Sequence, residues 1–141
     1  MIHTKLFRLA LFCLALLMAF SPTASAGSIS KQDKILQRAW QLHQTEFQVT
    51  FTGEVIVLLS DDTEGDRHQR FIVELESGQT LLVVHNIDIA PRVRKLRKGS
   101  IVTVRGEYIW NSQGGLVHFT HRALYEDIPG GWVKFKGVRY R

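Results

Sequence analysis

Four histidines stand at the ends of alternating apolar runs: His68, His85, His118 and His121. Gln69, Arg70 and Asn86 lie directly beside two of them. Neutral imidazoles ligate zinc, copper or nickel. An arginine grips a carboxylate or phosphate through two parallel hydrogen bonds. The set therefore supports three chemistries. One is a divalent metal site of His68, His85, His118 and His121. Another is a pocket for a small or anionic ligand, contacted by His68, Gln69, Arg70, His85, Asn86, His118 and His121. The third is a polar network without a ligand that closes one end of the fold. The run His118-Phe119-Thr120-His121 sets a condition on the metal. Residues three apart on a flat strand face opposite sides. His118 and His121 share one ion only if the strand bends or ends between them.

Two further clusters carry charge. Asp61, Asp62, Glu64 and Asp66, with Asp88, offer oxygens to a calcium ion, and a metal-dependent hydrolase, a nuclease among them, is the alternative reading. Arg92, Arg94, Lys95, Arg97 and Lys98, with Tyr108 and Trp110, offer charge and stacking to a single-stranded nucleic acid. Equally, such runs form the solvated face of a short segment. No glycine-rich phosphate loop, nucleophile elbow or His-Glu-x-x-His motif occurs in the sequence.

These residues must be positioned by strands. Helical spacing of Ile35, Leu36, Ala39, Trp40 and His43 predicts an amphipathic helix over 31–45, started by Ser30 with Asp33 three residues on. From Phe47 the period changes to two. Strands are expected over 48–60, with a bend or bulge at Gly53, and over 70–75, 79–84, 100–109 and 116–121. Ser77-Gly78 reads as a two-residue hairpin turn, which sets Arg70 opposite His85. Residues 91–98 read as a short basic helix or turn, 111–115 as a loop, and 132–140 as a terminal hairpin about Lys136-Gly137. Three strands, a short helix and two more strands are the layout of the OB-fold, a five-stranded Greek-key barrel. In it the fifth strand runs parallel to the third, which brings His118 and His121 toward His85. The expected fold is mainly β, with a helix at 27–46 and the barrel over 47–141.

The N-terminus reads as an export signal. Lys5 and Arg8 precede an uncharged run, Leu9 to Phe20, too short for a bilayer span of roughly 20 residues. Ala24-Ser25-Ala26 supplies small residues for cleavage before Gly27. Removal of residues 1–26 leaves about 115 residues, takes away the only cysteine, Cys13, and lowers the formal charge from +5 to +3. The exported chain, periplasmic or secreted, then has no second apolar run to span a membrane. It must also hold together by its core, without disulfides.

Five ordered stretches carry a family resemblance: His68 to Ile72, His85 to Arg92, Gly106 to Asn111, Gly114 to His121, and Gly130 to Val133. Together they resemble the exported bacterial family known as domain of unknown function 3465. The resemblance covers nearly the whole exported chain and implies no activity. It includes a His-Trp-Thr-His-His-Asp-Pro stretch at the fifth strand. Here Phe119 stands for the tryptophan and Arg122-Ala123-Leu124 for His-Asp-Pro, so that third histidine has no counterpart.

Overall fold

The computed structural model describes residues 28–141. The leader expected at residues 1–26 lies outside them. Among the described residues no helix is long and apolar enough to cross a membrane.

The helix α1 spans Lys31–Gln41 and begins where Ser30 Oγ accepts the Asp33 amide at 3.0 Å. It stops short of the expected residue 45, because His43 and Glu46 take positive φ angles and turn the chain into the sheet. Leu36 and Ala39 are buried in the core. Its end is latched to the barrel by two indole donors. Trp40 Nε1 donates to the Asn111 carbonyl, and Trp110 Nε1 to the Trp40 carbonyl, each at 3.0 Å.

Seven strands follow: β1 (Phe47–Leu58), β2 (His68–Glu74), β3 (Thr80–Asn86), β4 (Ile101–Ile109), β5 (Leu116–His118), β6 (Trp132–Phe135) and β7 (Val138–Tyr140). The sheet runs β1-β2-β3-β5-β4, and β4 pairs back to β1, which closes a five-stranded barrel. β3 and β5 are parallel, and the other barrel pairs are antiparallel. The fold is therefore mainly β and OB-fold-like. The β6–β7 hairpin turns about Lys136-Gly137 and pairs with β4 beside β5. Alternation does the packing. Phe71 and Val73 of β2, Leu81 and Val83 of β3, Val102 and Val104 of β4 and Val117 of β5 all point inward and are fully buried. Each such side chain contributes roughly 1.5–3 kcal/mol relative to exposure.

Five local expectations are corrected. The β2–β3 turn has three residues: Leu75 and Gln79 pair, and Gly78 closes the loop with φ +80°. The register moves by one residue, so Gln69 rather than Arg70 faces His85. The irregularity in β1 falls between Val55 and Val57, beyond Gly53. At Gly53 the strand instead passes so close to β2 that a Cβ would lie 2.5 Å from the Glu74 carbonyl oxygen. The fifth strand ends at His118, not His121, since Phe119 adopts φ +50°. Gly106 of β4 makes room for that bend, as a Cβ there would lie 2.3 Å from the His118 carbonyl oxygen. Finally, the helix expected between β3 and β4 is absent, and residues 91–98 form turns. Two helical turns are a costly unit to nucleate, Lys95 takes φ +58°, and the backbone of Val93 is held from the barrel interior.

Candidate functional site

A helix satisfies its own amides, and an irregular segment that caps a barrel needs outside partners. Gln69 and His85 supply them. Gln69 Nε2 donates to the Val93 carbonyl at 3.1 Å, and Gln69 Oε1 accepts the Val93 amide at 2.9 Å. The side-chain amide thus imitates a neighbouring strand. His85 is fully buried, with Nε2 3.0 Å from the Pro91 carbonyl and Nδ1 2.8 Å from Thr120 Oγ1. The carbonyl only accepts, so Nε2 carries the proton and the Thr120 hydroxyl donates to Nδ1. Burial holds the His85 pKa below its ordinary value, against the raising effect of its Pro91 and Thr120 hydrogen bonds. Gln69 and His85 are thus interior polar groups of the cap, and both nitrogens of His85 are engaged by protein.

The other three candidate histidines line one cleft of about 250 Å³ on the outer side of the barrel wall, His118 half-buried and His121 buried. His68 comes from β2, His118 from the end of β5, and His121 from just past the bend at Phe119. Asn86 and Asp66 join them, with an apolar wall that includes Val84, Ile89, Leu124 and Ile128. Asn86 organises the corner beneath. Its Oδ1 accepts the amides of Asp88 and Ile89, and its Nδ2 donates to Asp66 Oδ2 at 3.0 Å. Arg67 and Asp88 clasp the same corner through an exposed ion pair at 2.6 Å.

Two of these imidazoles have one nitrogen assigned by their partners. His118 Nε2 lies 2.9 Å from Glu107 Oε2, and His121 Nδ1 lies 2.8 Å from the Arg122 carbonyl. Both partners accept, so both nitrogens carry protons. In the neutral ring, Nδ1 of His118 and Nε2 of His121 are then lone-pair acceptors. The Phe119 ring stacks on His118 at 3.9 Å and meets His121 edge-on at 6.0 Å. The expected four-histidine metal set is not drawn into one sphere, because His85 faces the interior and Phe119 stands against His118 and His121. Among the described residues no group of three or more His, Cys, Asp or Glu side chains is placed to hold a metal ion.

The remaining candidates are dispersed. Arg70 lines a different depression and donates from Nε and Nη2 to the Ser60 carbonyl, at 3.1 and 3.0 Å. Asp61 pairs with Arg92, Asp62 caps the Glu64 amide, Asp66 accepts from Asn86, and Asp88 holds Arg67. The acidic run therefore staples loops instead of converging on an ion. Tyr108 is buried in the core and Trp110 is tied to α1, so neither offers a free face beside the basic segment. A larger cleft, about 620 Å³, runs between the start of α1 and β1 and is lined by no histidine, lysine or arginine.

Glu107 and Thr120 were not read from the sequence as site residues. A signal for Glu107 was present. The loop over 111–115 makes β4 and β5 a hairpin, and pairing across it sets Glu107 opposite His118. Nothing periodic marks residues 122–129, which close one side of the cleft.

A closed OB-type barrel with a capped interior and one imidazole-lined cleft is the scaffold these residues define. The chain belongs to the protein family of unknown function DUF3465, whose pattern it matches over residues 15–141. No curated protein matches the chain significantly.

Proposed function

We propose that the protein is an exported binding module that takes a small organic ligand in the cleft among His68, His118 and His121. The observation that carries this reading is the pair of fixed tautomers. Glu107 and the Arg122 carbonyl engage the ring N–H groups and leave two lone pairs. Asp66 adds a carboxylate oxygen that Asn86 does not use. Lone pairs and a carboxylate favour a ligand that brings donors or positive charge, and the apolar wall favours one with a hydrocarbon body. An anionic ligand gains less there, since Arg70 lies elsewhere and only Arg122 stands along the cleft as a permanent cation.

The test is titration followed by NMR, with putrescine, zinc and inorganic phosphate as separate probes. Shifts confined to cleft residues with putrescine, reduced at least tenfold in affinity by His118→Ala, support the reading. Phosphate binding in the cleft without putrescine binding overturns the donor-bearing ligand. Zinc bound tightly by His118 and His121 replaces it with a metal site. Silence with all three probes sinks the binding reading in favour of a structural role for the polar cluster.

A further inference from the structure

Residues 91–98 carry five cations and no acid, more positive charge than the whole formal excess expected for the exported chain. Arg92 is paired with Asp61. Arg94, Lys95, Arg97 and Lys98 are exposed and form no ion pair among the described residues. Large aliphatic side chains stand exposed beside them. Val57, Leu58 and Leu59 at the end of β1 are 39, 46 and 38% accessible, and Ile101 at the start of β4 is 58% accessible. Two adjoining depressions join the two kinds of residue. One, of about 390 Å³, sets Leu58 and Leu59 against Arg94 and Lys95. The other, of about 380 Å³, sets Ile101 against Arg97, Lys98 and Lys136.

We infer that this basic, aliphatic face docks on the surface of an anionic lipid bilayer. Cations held at the headgroup level are attracted by the negative surface potential. Aliphatic side chains beside them gain by entering the acyl boundary. The same four side chains exposed to water alone gain nothing. The absence of a free aromatic face separates this partner from a single-stranded nucleic acid, which binds by stacking as well as charge. Phe135, in the second depression, is buried. The face shares no residue with the histidine cleft, so the inference stands apart from the ligand proposed there.

Co-sedimentation of the protein with vesicles tests it, using phosphatidylcholine alone or mixed with phosphatidylglycerol. Binding is expected only to the mixed vesicles, and it weakens with added salt. Arg94→Glu with Lys98→Glu lowers that binding by more than about 25-fold, at about fivefold per cation. Leu58→Ser with Leu59→Ser lowers it roughly tenfold while leaving the salt dependence in place. All four side chains are exposed, so melting temperatures stay near wild type. If the charge-reversed chain melts early, Arg97→Gln with Lys98→Gln reads the same loss. Absence of binding to mixed vesicles overturns the inference. So does binding that survives loss of the cations, or tighter binding of a labelled oligonucleotide through the same four residues.

Discussion

His85 and the pair His118–His121 lie on opposite sides of one barrel wall, and the same side chain does different work in the two places. Inside, water is excluded, and each imidazole nitrogen must find a protein partner or incur a desolvation cost of about 1–3 kcal/mol. His85 accordingly has two partners, Thr120 and Pro91. Outside, His118 and His121 each have one partner and keep one nitrogen for the cleft. The number of engaged nitrogens, more than the residue type, separates a structural histidine from a candidate contact.

The largest expected effect breaks the interior network. His85→Ala leaves a cavity and strips partners from the Pro91 carbonyl and Thr120, so it should cost about 4 kcal/mol of unfolding free energy. Gln69→Leu leaves the Val93 amide and carbonyl unpaired and should cost about 3 kcal/mol. His118→Ala should cost less than about 1 kcal/mol, since its partner Glu107 remains reachable by water, and His121→Ala, at a 7% accessible residue, should fall between it and the interior pair. Urea unfolding of the four variants measures the contrast. Equal losses inside and outside would erase the distinction.

A pH titration sharpens it further. His85 is held neutral in the fold, with its pKa below the ordinary 6.5. Above that value neither the folded nor the unfolded chain binds the proton, and the stability is fully present. As pH falls through 6.5 the unfolded chain protonates first, so stability declines until the lowered folded pKa is reached. The slope contributed by this group is at most about 1.4 kcal/mol per pH unit and sets in as pH falls below the ordinary 6.5. His85→Gln still presents a donor toward Pro91 without a titrating ring. Its unfolding free energy should lose that slope just below neutral pH, and a slope unchanged from wild type would assign it to other histidines.

Period-two alternation made the barrel legible, because each strand buries one face and the core residues fall on it. Parallel pairing of the third and fifth strands also followed from topology, and it brings the ends of β3 and β5 together as the site reading required. The turn was harder. Ser77-Gly78 looks alike as the core of a two- or three-residue loop, and one residue of register exchanges Val84 and His85 between the faces of β3. That single step turned His85 into the barrel and left Arg70 opposite Val84. The missing helix was hidden for a related reason. Val93 and Leu96 have the spacing of a helix face, yet the side chain that holds the Val93 backbone is Gln69 of β2, 24 residues away in sequence. Long-range satisfaction of a backbone leaves no local pattern.

The smallest expected effect on stability has the most direct bearing on the cleft. Glu107 and His118 are partly exposed partners on adjacent strands, so Glu107→Gln should change the unfolding free energy by under about 1 kcal/mol. Its consequence is chemical. A carboxylate only accepts and so fixes the proton on His118 Nε2, whereas an amide either donates or accepts. In wild type, nitrogen shifts of the imidazole should report a protonated Nε2 and a bare Nδ1 at pH 8. In Glu107→Gln the two tautomers should mix, and a ligand recognised through the Nδ1 lone pair should bind more weakly, although Glu107 does not line the cleft. Should the tautomer stay fixed while binding falls, the carboxylate acts through its charge. Should the tautomers mix while binding holds, the lone pair of His118 is not what the cleft presents to its ligand.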